Sequence, residues 1–390
     1  MSRSKTYDVL VVGAGVFGAW TAFQLARRGQ SVLLIDAYGP GNSRASSGGE
    51  SRIIRMGYGA DEFYTRWAVR SLVQWKELLA ETMGTPVLFH ETGVLWLGSK
   101  DYARLNEMTA VLTRCKVPFE SLSSSVIAQR YPQFNSHDLG AGILETKSGV
   151  LMARRAVATV VESALSLGVE YRQAQVMPPL VAAPQSSRVN AISTSDGEQI
   201  SAGQFVFACG AWLGKIFPEI LGPRIFPSRQ EVFFFGVPSG ASQFSAPLLP
   251  TWLIQGDEVY GMPDLESRGF KIAFDSHGEL IDPDTQSRVV SAESVERVRA
   301  YVAKRFLALA NAPIVETRVC QYENTSNGDF LIDRHPEINN IWFAGGGSGH
   351  GFKHGPAFGE YVAQQILDGG PVEPRFELAS KATEQKRAVY

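Results

Sequence analysis

The opening of the chain constrains its fold more than any other stretch. Tyr7–Val12 is a short, apolar, β-branched run, and Gly13-Ala-Gly15-Val16-Phe17-Gly18 follows without a spacer. Such a run reads as a buried parallel strand. The glycines open a helical pattern from Ala19 to Arg28, with Gly29 as its stop, and Ser31–Ile35 reads as a second strand ending at Asp36. This is a βαβ unit of about 30 residues with the dinucleotide fingerprint. Gly13 makes the tight turn, Gly15 lets backbone approach a pyrophosphate, and Gly18 lets helix and strand pack closely. The residues at the helix start, Val16 and Phe17 among them, present partly positive N–H groups to the phosphates. Asp36, about 20 residues past the glycines, is expected to accept hydrogen bonds from the adenosine ribose hydroxyls.

The fingerprint alone does not separate NAD from FAD. Residues 36–52 form a long polar segment rich in Gly and Ser. A compact domain rarely keeps so long an irregular loop without a use for it. It leads into Arg52-Ile-Ile-Arg55, two guanidiniums three residues apart. This reads either as a solvated strand edge or as a loop lying along a bound cofactor with an Arg turned toward it.

With 390 residues the chain is long enough for two domains. Its 44% apolar and 19% charged residues mark an ordinary globular protein, and 37 basic against 39 acidic residues leave no electrostatic footprint for nucleic acid or a membrane surface. Three cysteines, Cys115, Cys209 and Cys320, are no disulfide framework and argue for a reducing compartment. No membrane span, secretory signal or lipidation address is legible, so a cytoplasmic location is expected.

Further along, Thr92–Leu97 reads as a strand, Asp101–Cys115 as an amphipathic helix, and Ser148–Arg155 leads into a helix running to about Leu167. Gly168–Tyr171 restarts a strand, and Ala202–Trp212 reads as a buried strand ending in a small-residue turn. Gln230–Phe235 and Phe270–Phe274 look like strands of a separate, antiparallel sheet, with Pro and Gly punctuation between Leu221 and Pro263. Near the end, Asn340–Ala344 reads as a strand. A glycine-dense loop from Gly345 through Gly346, Gly347, Gly349, His350 and Gly351 to Lys353 and Gly355 comes next, and then a helix from about Pro356 to Leu367. That density of glycine allows close backbone approach to something flat or anionic, and Pro356 suits a first helical turn.

These residues together resemble the monomeric sarcosine oxidase group of the D-amino-acid-oxidase-like FAD enzymes, which also includes N-methyltryptophan oxidase and pipecolate oxidase. The resemblance runs from Asp8 to about Gly370. It is carried by the glycine fingerprint, Ser51–Arg55, Thr92–Leu95, Cys209–Trp212, Gly269–Lys271, Val319–Tyr322, Asp329–Asp333 and Ser348–Lys353. It implies an α/β fold, α+β overall, with a Rossmann-like FAD-binding domain and an interleaved antiparallel-sheet substrate domain. The expected division is residues 1–86, 148–222 and 316–390 for the FAD domain, and 87–147 and 223–315 for the substrate domain.

The resemblance also implies roles. Cys320 matches the cysteine bonded to the flavin 8α carbon, a position that a thiolate attacks when the electron-poor ring is held beside it. Cys115 and Cys209 are read as core. Lys271 matches the lysine that activates O2 as a buried ammonium. Arg55 and Lys353 match the pair that binds the substrate carboxylate; two buried cations together cost several kcal/mol unless an anion joins them. Arg52 matches an arginine stacked near the flavin, Tyr260 and Tyr322 line the substrate pocket, and Ser51 and Lys353 also touch the flavin. His350 is read as structural rather than catalytic and, with Gly346, Gly347, Gly349 and Gly351, as part of the loop that binds the cofactor; no metal is assigned.

The implied activity is oxidation of a secondary amino acid, N-methyl or cyclic, to an imine, with O2 reduced to hydrogen peroxide by a monomeric enzyme. Three alternatives stand beside it: a same-fold dehydrogenase with another electron acceptor, a biosynthetic oxidase of a pipecolate-like imino acid, and a non-catalytic flavin sensor. Two positions depart from the sarcosine-oxidising members, which carry histidine where this chain has Gly48 and Asp275. Gly48 is expected to open the pocket. Asp275 is expected to favour a second basic group on the substrate or to pair with Lys271, so plain sarcosine is not expected to be the best substrate.

Overall fold

The computed structural model describes residues 5–81, 87–98, 103–179 and 187–386. The first two residues of the helix expected over 101–115 and both chain ends lie outside the described residues.

The opening strand, Thr6–Val12, is central to a seven-stranded sheet. It pairs in parallel with Val32–Asp36 on one side and with Gln199–Phe207 on the other. The order across the sheet is Leu331–Arg334, Ile341–Gly345, Gln199–Phe207, Thr6–Val12, Val32–Asp36, Glu170–Gln173, with Ala191–Ser193 antiparallel to Gln199–Phe207. Only Leu331–Arg334 runs against the others on this path. The strand is apolar throughout because both faces are covered. Val9 and Val11 join one core with Trp20, Phe23, Val157 and Phe358, while Leu10 and Val12 join another with Phe205, Phe207 and Phe217. The helices Val16–Arg27, Ala153–Ser166 and Gly355–Leu367 supply the first of these cores.

A second sheet has eight strands, in the order Ile314–Asn324, Phe226–Phe235, Phe270–Phe274, Val259–Met262, Thr251–Ile254, Val94–Gly98, Ala141–Glu145, Phe119–Ser123. Its pairs are antiparallel save one: Thr251–Ile254 runs parallel to Val94–Gly98. The expected antiparallel sheet is therefore mixed, and the exception has a topological cause. That pair is the seam between two stretches of chain separated by much of the first sheet, so no hairpin dictates its direction. One face buries Phe233, Phe235, Trp252, Phe270 and Ile272 beneath the helix Ala292–Arg305. The other face carries Val232, Phe234, Tyr260, Lys271 and Ala273.

A boundary at residue 316 cuts through Ile314–Asn324, whose ladder with Phe226–Phe235 runs from Ile314 to Asn324. Cys320 and Tyr322 thus come from the second sheet. A third, three-stranded sheet pairs Arg52–Ile54 and Phe89–His90 with Gly149–Leu151 and carries Arg52. Two long helices, Glu62–Glu81 and Ala292–Arg305, have no counterpart in the sequence reading. Among the described residues no helix is long and apolar enough to cross a membrane.

Candidate active site

A cavity of ≈ 430 Å³ is lined by residues from all three sheets. Its first end is built by the opening turn. Gly13 has φ +105°, and a Cβ there would stand 2.3 Å from the Ala208 carbonyl oxygen, so only glycine fits. Gly18 lies against the Gly13 carbonyl, where a Cβ would come within 1.8 Å, and does not line the cavity; it brings helix and strand together. Gly15, Val16 and Phe17 face the cavity. Ser47 Oγ accepts the Val16 N–H at 3.0 Å and caps the helix from the polar loop. Asp36 also faces the cavity, but its carboxylate shapes the turn: Oδ2 accepts from the Ala14 N–H at 2.8 Å, and Oδ1 from Tyr38 and Gly39 at 2.7 and 2.9 Å. Burial pushes its carboxyl above the usual range, and those three N–H groups oppose the shift.

The loop between Asp36 and Arg52 supplies Asn42, Ala45, Ser46 and Ser47 to the cavity wall. The Ser46 hydroxyl is buried without a partner among the described residues. Gly48 is a correction. Its Cα faces the loop itself, where a Cβ would stand 1.9 Å from the Asn42 carbonyl, and it does not line the cavity. Its lack of a side chain lets the loop close and opens no pocket space.

Arg52 Nη2 donates to the Ser46 carbonyl at 2.7 Å and to Cys320 Sγ at 3.2 Å, so the guanidinium sits directly on the sulfur. Lys271 is 3% exposed and donates to the Ser51 carbonyl at 2.9 Å and to its hydroxyl at 3.1 Å. Ser51 itself lies behind the cavity wall. The alternation Phe270, Lys271, Ile272 explains the burial: the two apolar neighbours point into the second sheet's core, and Lys271 points at the cavity. Burial pushes its amine well below the usual lysine value, and the Arg52 guanidinium adds to this. The same surroundings that bury this amine thus weaken its hold on the proton that the ammonium implied by the resemblance requires.

Arg55 and Lys353, 298 positions apart in sequence, meet at one ring. The Arg55 guanidinium lies 4.4 Å from the Tyr58 ring centre and 4.9 Å from that of Trp96, and Lys353 Nζ lies 5.1 Å from the Tyr58 ring centre. They are 5% and 4% exposed. Arg55 donates to the Gly57 carbonyl, and Lys353 donates to the His350 carbonyl at 2.7 Å. Burial, then the Arg55 charge, push the Lys353 amine well down, while Asp275 and Glu145 oppose this. Beneath them Tyr58 Oη lies 3.1 Å from His350 Nδ1 and 2.6 Å from His354 Nε2. Burial, then the neighbouring Lys353 charge, push both imidazoles well below the usual histidine value.

Tyr322 donates to Asp275 Oδ1 at 3.2 Å, and its ring lies against Gly349, where a Cβ would come within 2.7 Å of it. Asp275 thus pairs with Tyr322 and bears on Lys353; Lys271 takes Ser51 instead. Tyr260 also faces the cavity, its phenol pushed up to about 12 by burial. Gly347, Gly349, His350 and Gly351 line the wall, whereas Gly346 packs against Thr325 and Leu331. Cys209, read as core, lines the cavity too; burial pushes its thiol well up, away from thiolate chemistry.

Sequence reasoning missed Glu323. It is 5% exposed and accepts the Gly346 N–H at 2.6 Å, and burial pushes its carboxyl up to about 7 against the pull of the Gly346 and Gly347 amides. Its partners are backbone groups 23 residues away, so no local pattern marks it. An unpartnered buried hydroxyl, a helix start behind a glycine turn, and a cysteine under a guanidinium fit FAD.

The protein-family profile described as DAO, FAD dependent oxidoreductase, matches residues 8–365. Monomeric sarcosine oxidase of Bacillus sp. is 32% identical over 373 residues, covering 94% of this chain and 93% of that protein. N-methyl-L-tryptophan oxidase of Escherichia coli O139:H28 is 30% identical over 367 residues, covering 93% and 95%. Among solved structures, L-proline dehydrogenase from P. horikoshii superposes with a TM-score of 0.81 at 23% identity, covering 94% of this chain and 95% of that one.

Proposed function

The chain belongs to the FAD dependent oxidoreductase family, and on that premise we propose that it oxidises the C–N bond of a secondary amino acid, N-methyl or cyclic, to an imine while O2 is reduced to hydrogen peroxide. The observation that carries this reading is the meeting of Arg55 and Lys353 over one tyrosine ring at the wall of the cavity. Two cations removed from water repel one another, and an anionic ligand relieves both costs at once. A carboxylate matches the planar fork of Arg55.

Gly13, Gly15, Val16, Phe17 and Asp36 would hold the dinucleotide, and Cys320 would tether its ring. When bound, FAD supplies an electron-accepting ring for the hydride leaving the carbon beside the amine. Tyr260 and Tyr322 bound the space for the amine, and Asp275 sits at its edge on Tyr322. The amine enters neutral, so no side chain has to take a proton from its nitrogen before the hydride leaves. Lys271 would place its positive charge where dioxygen is reduced.

A panel of N-alkyl and cyclic amino acids mixed anaerobically with the protein tests this. Bleaching of the flavin absorption by at least one of them, followed by peroxide on admission of air, is expected. Bleaching without peroxide would make the protein a dehydrogenase, and no bleaching by any member would overturn the reading.

A further inference from the structure

Glu145 is a buried acid that the reaction outlined above does not use. It ends the strand Ala141–Glu145 of the second sheet and is 0% exposed. An isolated carboxylate so far from water costs several kcal/mol unless its oxygens are satisfied. Here four donors reach it. Oε1 accepts from the Gly57 N–H at 2.9 Å and the Trp96 indole at 2.7 Å; Oε2 accepts from the Met56 N–H at 2.7 Å and from the Ser148 hydroxyl.

The identity of the donors matters more than their number. Met56 and Gly57 are the two residues after Arg55. The Gly57 carbonyl receives the Arg55 guanidinium, and Trp96 is one of the two rings against which that guanidinium lies. The carboxylate therefore holds the backbone that aims Arg55 and a ring that supports it. The segment has no slack: a Cβ on Gly57 would stand 2.3 Å from Met108 Sδ and 2.9 Å from Glu145 Oε1. The charge also acts on the far member of the pair, since Glu145 favours the protonated amine of Lys353.

We propose that Glu145 is a positioning residue, reached from the second sheet, that sets Arg55 in the geometry that receives the substrate carboxylate. This rests on the carboxylate reading of Arg55 and Lys353. A neutral isostere at 145 keeps the volume but sets an amide N–H against the N–H groups it should accept, so the segment from Arg55 to Tyr58 shifts.

The test uses the flavin-loaded protein and acetate as the probe, with binding read from the perturbation of the flavin absorption. Glu145→Gln is expected to weaken acetate about tenfold, while acetamide binding and flavin content match the wild type. Glu145→Asp, which keeps the charge one methylene short, is expected to lose about threefold and serves alone if the glutamine variant does not fold. Arg55→Lys separates two failures. If Arg55→Lys leaves acetate affinity unchanged, the carboxylate reading falls and the role of Glu145 with it. If Arg55→Lys weakens acetate while the position-145 variants that fold match the wild type, only the role of Glu145 is overturned.

Discussion

Glu323→Gln gives the sharpest energetic test of the cavity as described. The carboxyl is buried between the loop after Gln199–Phe207 and the loop after Ile341–Gly345, and its value rises from an ordinary 4.5 to about 7. Burial is the cause: the ionised form has lost water and gained only backbone N–H groups in return. The folded chain therefore holds this proton more tightly than the unfolded one does. The stability it contributes is present in full below about pH 4.5 and is lost as pH rises through about 7. The whole difference is worth ~3 kcal/mol, of which ~2.5 kcal/mol falls between about pH 5 and about pH 8. Glutamine keeps a carbonyl for the Gly346 N–H and cannot ionise. Urea unfolding of the flavin-free protein at both pH values measures the effect. The wild type should lose ~2.5 kcal/mol more than Glu323→Gln over that interval. Equal losses would refute the assignment of a shifted carboxyl at this place.

The other predictions concern the reacting groups. Lys271→Met should leave reduction of the flavin by substrate in place but slow its reoxidation by air at least about a hundredfold; stopped-flow traces of the two half-reactions separate these. In the wild type the oxygen step should slow as pH rises through the depressed lysine value, well below 10.5, because only the protonated amine carries charge. Cys320→Ala should release the yellow colour into the supernatant on acid precipitation, whereas the intact protein keeps it in the pellet; a colourless wild-type pellet would remove the thioether. Asp275→Asn withdraws the anion that favours protonated Lys353. The pH above which kcat/KM declines should therefore move down, and an unmoved profile would show that Asp275 does not face Lys353 in solution.

What was legible in the sequence follows from how local each cause is. The strand, glycine turn and helix at residues 7–28 are written in consecutive residues, because burial on both faces demands an unbroken apolar strand and the Gly13 turn excludes a side chain. Lys271 was marked by the resemblance of its motif, and its alternation with Phe270 and Ile272 is what buries it. Arg55 and Lys353 were expected as a pair through the resemblance of their motifs, but the Tyr58 ring they share was not, since nothing in either segment points to it. Glu145 and Glu323 were invisible for the same reason: one is satisfied by donors from several separate segments, the other by the backbone of a distant loop. Gly48 misled because a missing side chain reads as open space, whereas here it lets the Asn42 carbonyl close on the chain. The parallel pair in the second sheet arises where two distant stretches meet, beyond the reach of any turn signal.

On the proposed reading, Arg55 and Lys353 together grip a carboxylate beside a bound flavin. A crystal structure of the flavin-loaded protein soaked with a small unreactive carboxylic acid decides it. The carboxylate oxygens are expected within hydrogen-bond distance of both side chains. An acid seated elsewhere, or the two cations turned away from each other, would contradict it.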